Sequence, residues 1–225
     1  MKLHLLRFNS FEENCYVLHA DGTDRCLLAD PGCCGPEETN ALLALLERER
    51  LQPEGIVLTH AHPDHIYGVR TLQDRFGGLP VWMHPADEAL FPWVDRFAAL
   101  FGTPKADTSF TSKPVSDGMV LRLGGLQWEV IETPGHSPGG VCYLERSEGV
   151  LLTGDTLFAG AIGRTDLPGG DYDKLIVSIM DRLMGLPFDT RILPGHGPES
   201  DIGRERTHNP FLEPWGEVEE DDYSV

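Results

Sequence analysis

Positive charge is scarce in this sequence. Eighteen Lys and Arg stand against 36 Asp and Glu over 225 residues, a formal net charge of -18, and no segment gathers the cations into a patch. Such a chain repels polyanions, so neither nucleic acid nor an anionic membrane is an expected partner; the expected partner is a small molecule, on the grounds of the motifs below. Long apolar runs are missing as well. Met1 to Glu13 carries Lys2, Arg7, Glu12 and Glu13, so it reads as neither a signal peptide nor a span, and a cytoplasmic location is expected. Cysteines are few and odd in number: Cys15, Cys26, Cys33, Cys34 and Cys142. None has the spacing of a zinc ribbon or a redox C-x-x-C, and reduced structural thiols are expected. Cys33 and Cys34 are adjacent and could react as a pair, but the plain structural reading outweighs this and no role is assigned to them. Low-complexity linkers are absent too, so residues 1–225 are expected to form one domain, with an acidic, solvated tail over 217–225.

What remains is ordinary for a globular protein, with 40% apolar and 24% charged residues. Short β-type runs at Leu3–Phe8, Cys15–His19 and Cys26–Ala29 are each closed by turn-forming residues. Pro36 to Arg50 has Leu42, Leu45 and Leu46 at helical spacing, and Ile56–Thr59 returns to strand. A helix over His65–Arg75 and a strand over Val81–His84 repeat the pattern. Further strands follow at Val120–Leu123, Leu126–Ile131, Val141–Glu145 and Val150–Thr153, with Gly124-Gly125 suited to a tight hairpin. A helix from Tyr172, with Leu175, Ile176, Ile179 and Leu183 on one face, and a strand at Ile192-Leu193 complete the series. Two successive strand sets with interspersed helices predict an α+β protein of two packed sheets with helices outside.

Metal-ligand residues are dense at Thr59-His-Ala-His-Pro-Asp-His65, where a strand gives way to a helix. Alternation in extended chain puts His60 and His62 on one side. Pro63 keeps His62 extended, and Asp64 is then expected at the helix N-cap, aimed with His65 at a second position. Three later segments each end an apolar strand with a ligand-type residue in a Gly-rich turn: Thr133-Pro-Gly-His136, Leu151-Leu-Thr-Gly-Asp155 and Leu193-Pro-Gly-His196. Five His and two Asp form a nitrogen and oxygen set suited to zinc, iron or manganese rather than calcium.

With these residues the sequence resembles the metallo-β-lactamase-fold superfamily, whose signature is H-x-H-x-D-H followed by separate His, Asp and His ligands. The resemblance implies an αββα sandwich of two mixed β-sheets flanked by helices, with two divalent transition-metal ions, zinc before iron or manganese. It implies that His60, His62 and His136 hold one ion, that Asp64, His65 and His196 hold the other, and that Asp155 bridges. Common zinc β-lactamases have Arg in place of His65 and Cys in place of Asp155, which disfavours antibiotic hydrolysis. The segment Gly154 to Asp166 and the stretch Glu205-Arg-Thr-His-Asn-Pro-Phe211 resemble the glyoxalase II-like, hydroxyacylglutathione hydrolase-like group in its short bacterial branch. The expected activity is thus thioester hydrolysis of the S-lactoylglutathione type by metal-activated hydroxide, with catalytic roles for Asp64 and Asp155. Only 29 residues follow His196, too few for the helical domain that carries much of the glutathione site in longer glyoxalase II enzymes, so dependence on glutathione is expected to be weak. Alternatives are a mononuclear-iron persulfide dioxygenase, a lactonase, and a metal-binding module without turnover.

Other residues are weighed individually. Asp30, after an apolar strand, and Thr59 are candidates to orient an imidazole. Arg164 faces either a substrate carboxylate or an internal ion pair with Asp166. Trp82, Phe91, Trp93, Phe97 and Phe101 belong to core or to a pocket wall. His4, His19, His84 and His208 lack motif context and are expected not to ligate.

Overall fold

The computed structural model describes residues 1–212; the expected acidic tail over 217–225 lies outside the described residues. The first half runs β1 (Lys2–Phe8), β2 (Glu13–His19), β3 (Arg25–Ala29), α1 (Gly35–Glu49), β4 (Gln52–Val57), α2 (Pro63–Ile66), α3 (Val69–Arg75) and β5 (Val81–Met83). A 3₁₀ segment Pro85–Trp93, then α4 (Val94–Phe101) and β6 (Lys113–Pro114), follow. These strands form one six-stranded sheet in the order β1-β2-β3-β4-β5-β6, antiparallel up to β3 and parallel beyond it.

The second half contributes β7 (Val120–Leu123), β8 (Leu126–Glu132), β9 (Val141–Glu145), β10 (Val150–Gly154), a small β11 (Leu157–Phe158) and β12 (Ala161–Ile162) hairpin, α5 (Tyr172–Ser178), β13 (Arg191–Pro194), β14 (Ser200–Asp201) and α6 (Ile202–His208). A π-helical turn over Ile179–Leu183 extends α5. The second six-stranded sheet has the order β14-β13-β10-β9-β8-β7, with β10 and β13 parallel. The hairpin between β7 and β8 forms as expected, Gly124 and Gly125 taking φ of 64° and 74°, a pair of values that only glycine adopts freely.

Strand alternation builds the layers. Leu27 packs between the sheets with Tyr16, Trp128 and Leu152, whereas its neighbour Leu28 packs outward under α1 and α3 with Leu42 and Leu72. In β10 the same switch sends Leu152 inward and Leu151 outward against Leu175, Ile179 and Ile202. Because both faces of each sheet are covered, the central strands read as continuous apolar runs. The result is the expected αββα sandwich of two mixed sheets. Among the described residues no helix is long and apolar enough to cross a membrane.

Two expected elements differ. The helix over His65–Arg75 is divided into α2 and α3, because Gly68 N donates to Pro31 O at 2.9 Å while Asp64 O, its partner in a continuous helix, accepts instead from Asn9 Nδ2 at 2.9 Å. β4 begins at Gln52 and stops at Val57; Leu58 N still donates to Trp82 O of β5 at 2.9 Å, and from Thr59, whose carbonyl accepts from Val141 N, the chain turns to the other sheet.

Truncating the central Leu152, 1% exposed, to Ala is expected to cost about 2–5 kcal/mol through lost transfer energy and a residual cavity. Urea denaturation of both forms measures it, and a loss below about 1 kcal/mol would contradict the packing described.

Candidate metal centre

The C-terminal ends of β3, β4, β8, β10 and β13 meet at one edge of the sandwich, and each delivers a polar residue there. Tyr143 Oη donates to Leu58 O at 2.9 Å and Val141 N to Thr59 O at 2.9 Å, so β9 in the second sheet holds the loop after β4. His62, at φ -67° and ψ 147°, stays extended before Pro63, as sterics require. His62 is itself the N-cap of α2 and Pro63 the first helical residue. Asp64 is therefore not the N-cap but lies inside the first turn, because proline fixes φ for helix entry two positions earlier than expected.

All seven expected ligands converge. His136 Nε2 lies 2.8 Å from His62 Nδ1 and 3.3 Å from His60 Nε2. Asp64 Oδ2 lies 3.3 Å from His196 Nε2 and 3.8 Å from His65 Nε2. Asp155 stands between the two groups, its Oδ2 3.5 Å from His136 Nε2 and 3.6 Å from His196 Nε2, its Oδ1 3.4 Å from His65 Nε2. Three donor triads result, His60–His62–His136, His60–His65–Asp155 and Asp64–His65–His196, each with ligand atoms within 4.8 Å of one another.

Hydrogen bonds at the far side of each ring select the nitrogen presented. Asp30 accepts from Thr59 N at 2.7 Å and from Thr59 Oγ1 at 2.6 Å. The Thr59 hydroxyl, having donated its proton, can only accept from His60 Nδ1 at 3.1 Å, and this leaves His60 Nε2 as a bare lone pair. Asp30 Oδ2 also faces His65 Nδ1 at 3.2 Å. Backbone carbonyls fix two more rings, Arg164 O holding His136 Nδ1 at 2.7 Å and Phe11 O holding His196 Nδ1 at 3.0 Å. Four rings thus present Nε2 and His62 presents Nδ1.

The electrostatics favour a cation. Burial, together with the neighbouring imidazoles, pushes His62 down to about 3 and His60 well below its usual value, so both are neutral and ready to ligate. Burial alone would raise the Asp155 carboxyl, but His65 beside it holds it well below the carboxylate range. Burial would likewise lower His65, yet Asp155 and Asp64 push it well up. The two carboxylates therefore demand positive charge in the space among them. His65 Nε2 and Asp155 Oδ1 are buried without a hydrogen-bond partner among the described residues, an arrangement that costs free energy unless a further group joins them. A donor set of imidazole nitrogens and carboxylate oxygens fits a pair of divalent transition-metal ions.

Two supporting residues were not foreseen. Asp87, fully buried in the 3₁₀ segment, accepts from Ala61 N at 2.8 Å, Ser137 Oγ at 3.0 Å and Gly139 N at 2.5 Å. One carboxylate therefore clamps the His60–His62 loop to the His136 loop. Asn14 ties β2 to the His196 turn, its Nδ2 donating to Pro194 O at 3.0 Å and Gly197 O at 2.9 Å. Both sit in segments without ligands, and Asp87 lies in Pro85-Ala-Asp-Glu, where only an acid ahead of an apolar turn was visible. The turn before His196 also needs glycine: a Cβ on Gly195 would collide with Asp155 Oδ1 and His65 Cε1.

Other expectations resolve as follows. Arg164 is engaged by Asp166 through two 2.7 Å contacts, the internal ion pair. Phe97 and Phe101 line the cleft that opens on the ligands, whereas Phe91 packs against Phe110, Trp82 joins the inter-sheet core and Trp93 is exposed. His4, His19, His84 and His208 lie outside every donor triad. Burial pushes the Cys33 thiol up to about 12 and raises Cys34 as well, which suits unreactive thiols.

A sandwich of this topology, with convergent His and Asp side chains where strands of both sheets end, defines a metallo-hydrolase architecture. A sequence model described as the metallo-beta-lactamase superfamily matches residues 10–196, and the chain belongs to that superfamily. The chain is 35% identical to hydroxyacylglutathione hydrolase GloC of Haemophilus influenzae over 214 residues, 94% of this chain and 98% of that protein. Among solved structures it is similar to the BLEG-1 B3 metallo-beta-lactamase, with TM-score 0.84 and 37% identity over 94% of this chain and 99% of that one. It is also similar to TTHA1623 in a di-iron-bound form, with TM-score 0.82 and 38% identity over 93% and 100%.

Two substitutions test the centre. Asp155→Ala is expected to abolish the binding of a second metal equivalent, since a shared ligand is lost. Elemental analysis that still finds two equivalents would refute the bridging role. Asp87→Asn, isosteric but offering an amide N–H to groups that are already donors, is expected to weaken metal affinity by about 10–100-fold, the usual consequence of losing an outer-shell partner. Chelator competition measures it, and unchanged affinity would mean that the clamp is dispensable.

Proposed function

We propose that this protein is a glyoxalase II-like thioesterase that cleaves small acyl thioesters of the S-lactoylglutathione type at a zinc-preferring pair of metal ions. The observation that carries the reading is the complete set of His60, His62, Asp64, His65, His136, Asp155 and His196, of which His62, Asp64, His136, Asp155 and His196 line an open cleft of about 290 Å³. The similarity to GloC over nearly the whole chain supports the same reaction class. Two divalent ions held there would supply hydroxide at neutral pH and electrophilic assistance to a carbonyl.

The chain's own residues supply the rest. Asp64 lines the cleft, where its carboxylate can accept a hydrogen bond from the attacking water and fix its direction. Asp155, whose carboxyl is held well below the usual carboxylate range, is available as an anionic ligand between the two groups. Phe11, Phe97 and Phe101 give the approach an apolar wall. In the net reaction the water oxygen joins the acyl carbon, the carbon–sulfur bond breaks, and the water's protons are shared between the carboxylic acid and the thiol.

A second reading, β-lactam hydrolysis, is favoured by the similarity to BLEG-1 and opposed by His65 and Asp155 in place of the Arg and Cys of common zinc lactamases. Iron ligation with oxygen chemistry on persulfides is the further outcome that metal analysis separates, TTHA1623 being a di-iron relative.

The test compares kcat/KM for lactoyl thioesters of glutathione, coenzyme A and a minimal thiol, at matched metal content, with a chromogenic β-lactam and oxygen uptake on glutathione persulfide alongside. Thioester turnover is expected to exceed both rival activities, with the three carriers within about a hundredfold of one another, about 2.7 kcal/mol of differential stabilisation. Oxygen consumption without thioester cleavage, or β-lactam turnover that exceeds it, would overturn the reading.

A further inference from the structure

The cleft above the ligands has a wall of unusual composition. Phe11, Phe97 and Phe101 are each half-exposed into it, with centroids 4.5 Å apart for Phe97 and Phe101, 5.6 Å for Phe11 and Phe101, and 6.1 Å for Phe11 and Phe97. Phe97 and Phe101 stand four residues apart on α4 and so share a face. Phe97 lies over His62, the centroids 6.2 Å apart and the planes at 23°. Leu167 adds further apolar surface to the same cleft.

This wall is held in place. Phe11 sits in the turn between β1 and β2, where Asn9 and Glu12 take φ of 53° and 54°. Asn9 Nδ2 donates to Gly32 O at 3.0 Å and Asp64 O at 2.9 Å, and its Oδ1 accepts from Phe11 N at 3.1 Å. The Phe11 carbonyl in turn orients His196. The ring therefore has a fixed position relative to residues of the second ligand group, as a substrate-binding surface requires.

Charge recognition is poorly provided for. Arg164 is the one Lys or Arg among the described residues lining the cleft, and Asp166 engages one edge of its guanidinium through Nε and Nη2. In the groove beyond α4, Arg96 lies over the Trp93 ring at 5.3 Å. A carrier with two carboxylates would compete with Asp166 for Arg164 and would meet a protein of net charge -18. An apolar substituent needs no such exchange, since it only removes ring surface from water.

We infer that the substrate's group next to the reacting carbonyl or sulfur is an apolar chain or ring seated among Phe11, Phe97 and Phe101, so that selection follows this group and not a charged carrier. The inference rests on the thioesterase reading for its reaction but on the cleft alone for its ligand class.

The test uses the metal-loaded full chain in two arms. One varies the acyl group from lactoyl through propionyl, butyryl and hexanoyl to benzoyl on a fixed minimal thiol; the other varies an n-alkyl thiol under a fixed acetyl group. In the arm that fills the cleft, kcat/KM is expected to rise about two- to fourfold per methylene, the upper figure corresponding to complete burial. Phe97→Ala and Phe101→Ala should flatten that slope at unchanged metal content, whereas Phe101→Leu, which preserves apolar bulk, should retain most of it. Calorimetric binding of carboxylates from acetate to octanoate should show the same chain-length dependence, with an increasingly negative heat-capacity change. If no thioester is turned over but the binding slope and its loss in the alanine variants hold, the thioesterase reading fails and the apolar site stands. Thioester turnover with flat series in both arms, or slopes untouched by the alanine variants, would overturn the inference.

Discussion

Asp30 accepts hydrogen bonds from Thr59 N and Thr59 Oγ1 and faces His65 Nδ1, and much of the centre hangs on that single carboxylate. Through Thr59 it sets the tautomer of His60 in one donor group, and through His65 it reaches the other. Asp30 adopts φ of 46° to do so, a left-handed conformation that Asp tolerates better than most residues. Its position follows from β3 and β4 lying parallel in one sheet, so that both deliver their C-terminal ends to the same edge. The chemistry of the site thus depends on a strand pairing made well away from it.

The same logic extends across the sandwich. Each imidazole apart from His62 has its Nδ1 occupied by an oxygen, that of the preceding Thr59 for His60 and one from a distant segment for His65, His136 and His196, and the rings are aimed by these bonds. Buried polar groups of this kind are costly unless satisfied, which is why the segments carrying them are tied to one another by Asp87, Asn14 and Tyr143. Beside the ligand atoms His65 Nε2 and Asp155 Oδ1, Glu13 also falls short, with both carboxyl oxygens buried without a partner among the described residues. Burial pushes its acid well up, so it is accommodated as a neutral group.

The ligands were legible in the sequence because metal binding needs particular side chains at particular spacings, and all seven come together. The layer order was legible because apolar strands ended in turn residues. What escaped were features set by partners distant in the chain. The position of Asp64 turned on Pro63 starting the helix two residues early, and the break between α2 and α3 on Asn9 and Pro31 claiming helical hydrogen-bond groups. Asp87 looked like any acid near a helix start until Ala61, Ser137 and Gly139 were seen to converge on it. Phe97 and Phe101 could not be told from core residues by spacing alone, because a pocket wall and a buried face share the same helical period.

Phe11 contributes to the centre with two different atoms. Its carbonyl fixes His196, and any amino acid at that position keeps a carbonyl, whereas its ring belongs to the cleft wall and changes with every substitution. Phe97 and Phe101 likewise project from a helix that carries no ligand. The donor set and the cleft wall are therefore encoded in separable parts of the chain, and natural variation can redraw the cleft without replacing a donor residue. A superfamily built on such a division can hold its reaction machinery constant while its members diverge in what they admit.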